Sequence, residues 1–285
     1  MTDSGKSAAT AETAAAKSPQ DGTGKKPNYK NWLPRRMIAA ALAAAVLFWA
    51  LLAFSLKFLP TAGAWLALPV VLGVAAFAST AATLWFYALY RMFSYDGKRQ
   101  LARRIVEGTA AYIKIPAGGR ILDVGCGSGA LTIACAKGNP ACDVLGVDLW
   151  SGVYASFSKQ ICEENAAAEG VSNAAFQSGD ALKLDFPDES FDAVTSNYVY
   201  HNIPKVSGQT MLEETLRVLK KGGVFAIHDI MAHGKYGDME AFAAKLRDEG
   251  YEKVELIDTA KGMFLGAREA RFMGAGASRL LIGRK

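Results

Sequence analysis

Two stretches of the chain are apolar at nearly every position, and the remainder beyond them alternates between short apolar runs and amphipathic ones. Residues 37–59 are interrupted only by Ser55 and Lys57, and a second apolar run covers 64–90, after the turn Pro60, Thr61, Ala62 and Gly63. Each run exceeds the roughly 20 residues a helix needs to cross the hydrocarbon core of a bilayer. The pattern predicts a transmembrane α-helical hairpin within residues 32–92. A signal peptide fits poorly, because its leader and apolar run are shorter and no second run follows it. A buried soluble hairpin would need partner surface on every side. Trp32, Trp49, Trp65, Trp85, Tyr87 and Tyr90 supply aromatic bulk, several of them near the expected interfaces. Lys57 sits near enough to the end of its run to reach the headgroups.

Residues 1–31 are mostly Ala, Ser, Thr, Gly and Lys, with almost no large apolar side chain before Tyr29. That composition cannot bury a core and predicts a disordered tail. Residues 93–118 read as a linker with one helix, over 99–112, placing Leu101, Ile105 and Tyr112 on one face. Tyr95 and Asp96 there are either linker residues or within reach of a ligand. From 119 to 285 the apolar runs predict strands at 120–124, 143–148, 174–177, 191–196, 224–230, 253–257 and 279–282. Helical patterns at 130–137, 153–169, 209–219 and 239–249 lie among them, and Lys220, Lys221, Gly222 and Gly223 read as the stop of the third. The prediction is an α/β domain with a doubly wound, mostly parallel sheet of seven strands behind the hairpin.

Charge refines this picture. The net charge is +5, but residues 1–90 hold 8 Lys/Arg against 3 Asp/Glu, while residues 91–285 hold 24 of each. The basic excess belongs to the N-terminal part, so no nucleic-acid partner is expected for the domain. Lys25, Lys26, Lys30, Arg35 and Arg36 precede the first apolar run, and Arg91, Lys98, Arg99, Arg103 and Arg104 follow the second. The positive-inside rule then puts both termini and the domain on the cytoplasmic side of a cell membrane. Cys126, Cys135, Cys142 and Cys162 have no C-x-x-C spacing and no histidine cluster near them, so no metal site is expected.

The chemistry centres on Ile121-Leu122-Asp123-Val124-Gly125-Cys126-Gly127-Ser128-Gly129-Ala130, a buried strand entering a glycine turn and then a helix. Such a turn lets a ligand lie against backbone at a helix N-terminus. Asp148, closing the next strand, stands where a carboxylate meets ribose hydroxyls. These residues point to a nucleoside cofactor. Gly125, Gly127 and Ala130 also satisfy a dinucleotide fingerprint, which keeps a nicotinamide-dependent oxidoreductase open.

From about Tyr95 onward the chain resembles class I S-adenosylmethionine-dependent methyltransferases. Leu122 to Gly129 resembles their first motif, Gly146-Val147-Asp148 their second-strand acid, and Gly179-Asp180-Ala181 the acidic turn after the third strand. Phe191-Asp192-Ala193-Val194 and Leu216 to Gly223 resemble the fourth strand and the approach to the fifth. The resemblance implies S-adenosylmethionine as cofactor. Gly125, Cys126, Gly127 and Gly129 would hold its amino-acid end through backbone N–H groups, with Asp123 orienting the turn or reaching the ammonium. Asp148 would accept from the ribose hydroxyls and Asp180 from the adenine amino group, with the Ala181 N–H donating to a ring nitrogen. Leu149 or Trp150 would cover the adenine, and Asn197 would close the site at the fourth strand.

The acceptor should lie at the ends of the fourth and fifth strands. The stretch Ser196 to Ile203 lacks the N-P-P-Y pattern of amine and nucleic-acid-base methyltransferases and looks more like the small-molecule branch that includes quinone C-methyltransferases. His201 and His228 are candidate bases, and Tyr198 is a further catalytic candidate, more suited to walling or orienting than to proton transfer. The expected partners are a small, lipophilic acceptor and the lipid bilayer; a non-catalytic cofactor-binding membrane scaffold is the alternative from another class.

Overall fold

The computed structural model describes residues 25–60, 62–150 and 157–285. Two long helices, α1 (Arg35–Phe58) and α2 (Ala67–Met92), pack antiparallel against each other, with a 3-10 turn at Gly63–Leu66 leading into the second. Trp49 Nε1 donates to Thr80 Oγ1 at 3.1 Å between them. At ~1.5 Å per residue each is long enough to cross a bilayer, and each is apolar enough. Their outward faces are not covered by protein. Val46, Phe77 and Leu84 are 63%, 73% and 64% exposed.

The domain follows with α3 (Leu101–Ala110), β1 (Arg120–Val124), α4 (Ala130–Gly138), β2 (Asp143–Asp148), α5 (Lys159–Ala168), β3 (Ala174–Ser178) and β4 (Phe191–Asn197). It continues with α6 (Gly208–Arg217), β5 (Leu219–Ile230), α7 (His233–Tyr236), α8 (Met239–Asp248), β6 (Lys253–Asp258), α9 (Ala267–Phe272) and β7 (Ser278–Arg284). The sheet order is β3-β2-β1-β4-β5-β7-β6. Only β7 runs antiparallel to its neighbours, and the other pairings are parallel. Strand order reverses between β1 and β4, which opens a crevice at their carboxyl ends, where open α/β sheets bind ligands. Leu122, Val124, Val194 and Ile227 are fully buried on these central strands. Truncating Leu122 or Ile227 to Ala would cost about 2–5 kcal/mol, so the strands that carry the crevice are anchored in the core.

The structure differs from the sequence reading in several places. The segment Lys220 to Gly223 is not the stop of a helix. The helix α6 ends at Arg217, Leu219 already pairs with Phe191, and the glycines form an irregularity inside β5, where Gly222 takes φ +75°. The basic pair and glycines mimic a helix terminus because a strand irregularity also needs positive φ. Helix α3 stops at Ala110, so Tyr112 leaves its buried face and is 38% exposed. Of the predicted helix 153–169, residues 153–156 lie outside the described residues, as does most of the predicted tail and Thr61 of the turn. The described end of that tail is docked. Asn28 N–H donates to Asn165 Oδ1 at 2.6 Å, Ser128 Oγ donates to the Tyr29 carbonyl at 2.7 Å, and the Tyr29 hydroxyl reaches Glu169 Oε1 at 3.0 Å. Tyr29 is the first side chain with enough apolar area to repay ordering, and it stacks 4.4 Å from the ring of Tyr95.

Candidate active site

A cavity of about 670 Å³ lies at the carboxyl ends of β1, β2 and β4. Asp123, Gly125, Cys126, Gly127, Asp148, Leu149, Asp180, Ala181, Asn197, Tyr198 and His201 all line it. Gly129 caps α4 behind the turn with φ +83°, and His228 does not reach the cavity.

The glycine turn is built by close approach. A Cβ on Gly125, at φ +76°, would fall 2.4 Å from Val199 Cγ2, so only glycine lets the turn after β1 pass under the loop after β4. Its amides are already engaged. Gly125 and Cys126 N–H donate to the Val147 carbonyl at 2.8 and 3.0 Å, and Gly127 N–H donates to Asp148 Oδ2 at 2.9 Å. The turn's amides and carbonyls are both largely spent inside the protein, the Cys126 carbonyl accepting from Gly129 N–H at 2.8 Å, so the turn admits a ligand through its lack of side chains more than through the donors expected from the sequence. Asp148 Oδ1 accepts from Trp150 N–H at 2.7 Å, which fixes the carboxylate plane while each oxygen keeps a lone pair for a hydroxyl. Trp150 turns inward, donating Nε1–H to the Gly127 carbonyl at 2.8 Å, and leaves Leu149, 54% exposed, on the cavity side. Asp180 is fixed by accepting from Leu182 N–H at 2.9 Å.

Asp123 is buried beneath the turn and accepts from Thr132 Oγ1 at 2.6 Å. Burial pushes its carboxyl up to about 7 against the lowering effect of that hydrogen bond.

At the other end, His201 follows β4 and directs Nδ1 to Asp229 Oδ1. Asp229, 1% exposed, also accepts from Ile230 N–H at 2.7 Å, Tyr200 N–H at 2.8 Å, His201 N–H at 3.1 Å and the Tyr236 hydroxyl at 2.6 Å. Burial would raise this carboxyl, but the bonds from His201, Tyr236 and Ile230 together hold it below its ordinary value. An ionised Asp229 fixes His201 as the Nδ1–H tautomer and leaves Nε2 as the ring nitrogen available to the cavity. Sequence reasoning named His201 and missed Asp229. The available signal was strand adjacency, since β4 pairs with β5 and Asn197 lies opposite His228.

His228 and Tyr198 depart from the catalytic reading. His228 is 1% exposed with both ring nitrogens engaged, Nδ1 with Asn197 Oδ1 at 2.9 Å and Nε2 with Thr259 Oγ1 at 2.8 Å. Burial pushes its imidazole down to about 4, so it stays neutral and positions Asn197. Tyr198 is bonded through its hydroxyl to Ser278 Oγ at 2.8 Å, and burial raises that hydroxyl. Its ring stands 5.5 Å from Trp32 and 5.8 Å from His201, as a wall.

The profile of the family described as "Methyltransferase domain" matches residues 115–274. Among curated proteins, 27-O-demethylrifamycin SV methyltransferase of Amycolatopsis mediterranei is 29% identical over 191 residues, 65% of this chain and 66% of its own length. Demethylmenaquinone methyltransferase of Lactobacillus johnsonii is 36% identical over 116 residues, 40% of this chain and 45% of its own length. The match thus spans less than two thirds of either relative. Among solved structures, phosphoethanolamine N-methyltransferase 2 of Haemonchus contortus in complex with S-adenosyl-L-methionine is 18% identical, with a TM-score of 0.47, covering 68% of this chain and 54% of that one.

Proposed function

Because the chain belongs to the methyltransferase-domain family, we propose that it methylates a small lipophilic acceptor at the cytoplasmic face of a membrane. The protein is an S-adenosylmethionine-dependent methyltransferase, and S-adenosylmethionine is its cofactor. The residues fit that group. Carboxylates at Asp148 and Asp180 suit hydroxyl and amino donors, and the bare glycine turn with Asp123 beneath it suits an amino-acid end. In this reading Asp148 would accept from the ribose, Asp180 from the adenine, and Asp123, beneath the bare glycine turn, would face the ammonium.

The acceptor reading is carried by one observation. The cavity that holds Asp148 and Asp180 at one end holds His201, backed by buried Asp229, at the other. The cofactor supplies a methyl group on a positively charged sulfur that leaves as a neutral thioether. With the cofactor bound, the acceptor would take that methyl group as the carbon–sulfur bond broke, and His201 Nε2 would take the acceptor's proton. Asp229 keeps the imidazole in the accepting tautomer and stabilises the imidazolium that results. The acceptor therefore carries an ionisable proton at its nucleophilic atom, a hydroxyl or an activated carbon. Both curated relatives are named for small-molecule acceptors, which agrees with this. The bare apolar faces of α1 and α2 and their basic flanks support the membrane address.

Two measurements on the full chain test the reading. Calorimetry should show S-adenosylmethionine binding that Asp148→Ala weakens at least tenfold, and the protein should stay with membranes through an alkaline carbonate wash. Release by the wash would remove the membrane part. Binding that Asp148→Ala leaves unchanged would remove the assigned cofactor geometry.

A further inference from the structure

The hairpin does not only flank the domain; its end forms part of the cavity wall. Leu89, in the last turn of α2, and Phe93, just beyond it, line the cavity together with Trp32 and Leu33 from the segment entering α1. Ile230 and Met273 complete the same wall from the end of β5 and the end of α9. The wall is aromatic and continuous. Trp32 lies 5.5 Å from Phe93 and 5.5 Å from Tyr198. Leu89 is 5% exposed, whereas Phe77 and Leu84, on another face of α2, are 73% and 64% exposed.

The junction is pinned on both sides. Asn31 Nδ2 donates to the Tyr90 carbonyl at 2.8 Å, and Trp85 Nε1 donates to the Phe272 carbonyl at 2.9 Å. The second bond brings α9 beside α2. Phe272 is 47% exposed there, Trp85 is 37% exposed, and Arg268 and Arg271 are exposed on the same short helix. Exposed aromatic rings beside arginines are the side-chain set of a membrane interface. The acceptor end of the cavity thus lies beside the end of the hairpin and the aromatic–arginine surface of α9.

We propose that the end of the hairpin is a lateral passage, bounded by Trp32, Leu33, Leu89, Phe93 and Met273, through which a hydroxyl-bearing apolar molecule dissolved in the bilayer reaches His201 without crossing water. The inference rests on the membrane-anchored methyltransferase reading above and adds to it a delivery role for the hairpin. The geometry sorts the acceptor into two parts. Its ionisable group lies toward His201, and its apolar remainder lies along Trp32 and Phe93 and trails toward the leaflet beside α2. Aromatic walls hold a flat or chain-like apolar body at little entropic cost.

The test uses full-length protein in vesicles of phosphatidylcholine and phosphatidylglycerol, doped with the neutral-lipid fraction of the producing cells and supplied with methyl-labelled S-adenosylmethionine. Leu89→Trp and Met273→Trp fill the passage from opposite sides, and Leu89→Phe fills it partly. Val70→Trp adds the same bulk on the exposed face of α2. The expected result is label in the organic phase with wild type and Val70→Trp. A loss of at least tenfold is expected in the two Trp variants of the passage and a smaller loss in Leu89→Phe, with cofactor affinity by calorimetry within twofold of wild type throughout. Wild-type labelling in both Trp variants overturns the passage alone. Cofactor affinity falling in step with transfer in all three passage variants also overturns it, because these side chains would then only support the fold. Wild type that places label in neither phase, or only in a water-soluble product, overturns the lipophilic-acceptor reading beneath it.

Discussion

The imidazole of His201 and the carboxylate of Asp229 form a hydrogen-bonded pair across the ends of two adjacent strands, with the histidine on the cavity and the aspartate almost wholly enclosed. Five donors converge on Asp229: three backbone amides, a tyrosine hydroxyl and the imidazole itself. A purely structural histidine would spend both nitrogens, as His228 does with Asn197 and Thr259. The bond to Asp229 engages only Nδ1 of His201.

That contrast sets the first prediction. His201→Gln should lower kcat by about 100-fold or more, the usual scale for loss of a general base, with cofactor affinity within twofold of wild type. Asp229→Asn should lower kcat comparably by favouring the wrong tautomer, and should also reduce thermal stability, because the buried acceptor serves several donors. His228→Gln, placed away from the cavity, should cost far less in kcat. Steady-state kinetics on a common acceptor separates the three. Equal losses in His201→Gln and His228→Gln would remove the special role of His201.

Asp123 gives a pH dependence. Its carboxyl stands at about 7 before any ligand arrives, because burial disfavours the ionised form. An ammonium brought beneath the turn favours that ionised form. Below pH 7, binding must therefore expel the proton, and affinity should fall by up to roughly tenfold per unit as pH drops from 7 to 5. Above pH 7 it should level off. Calorimetry in buffers of different ionisation enthalpy should show close to one proton released per cofactor at pH 6. Asp123→Asn should remove both the slope and the proton release. A pH-independent affinity in wild type would place the ammonium elsewhere.

The order in which these groups meet was partly legible before folding. The strands, the glycine turn, Asp148 and Asp180 follow from apolar runs ended by small or acidic residues, and the turn and the two carboxylates line one cavity. Periodicity could not say which histidine faces the cavity. His201 lies just after β4 and His228 near the end of β5, and their fates separate only through contacts with Asp229 and Thr259, 28 and 31 positions away. The docking of residues 28–33 was hidden for a related reason. Its hydrogen bonds reach partners as distant as Asn165 and Tyr90, and it follows directly on a tail of linker-like composition. Backbone engagement was a third gap. A glycine turn reads as a set of free amides until the neighbouring strand supplies the Val147 carbonyl.

Close packing across the crevice yields a coupling prediction. Gly125→Ala places a methyl group 2.4 and 2.5 Å from the two Val199 methyl carbons and also forces alanine into positive φ. Strain of about 1–2 kcal/mol from the backbone adds to the clash, so both thermal stability and cofactor affinity should fall. Val199→Ala in the same chain should remove the two methyl contacts, leaving the tight 3.0 Å approach of the Val199 Cβ and the backbone strain, and so recover only part of each loss. The two changes are in contact and should be non-additive by about 0.5–3 kcal/mol. A double-mutant cycle on melting temperature reads this directly, and additivity would mean that the two loops yield independently.

His228 gives a stability prediction whose sign opposes that of Asp123. Its folded value, about 4, lies below the ordinary 6.5, because burial disfavours the imidazolium. The unfolded chain takes up the proton first as pH falls. The contribution of neutral His228 is therefore complete above pH 6.5 and is lost progressively as pH drops toward 4, amounting to about 3 kcal/mol in full. Asp123 acts the other way, since its raised carboxyl contributes stability at low pH that is lost as pH rises from 3.8 toward 7. The two slopes overlap, so the wild-type profile alone cannot resolve either. The stability advantage of wild type over His228→Gln should shrink by about 2–3 kcal/mol between pH 7.5 and 4.5, a convergence of several degrees in melting temperature for a chain of this size. Thermal unfolding followed by circular dichroism at the two pH values measures it. A constant gap between the two proteins would mean that His228 stays protonatable in the folded state, and its bonds to Asn197 and Thr259 would then not hold a neutral ring.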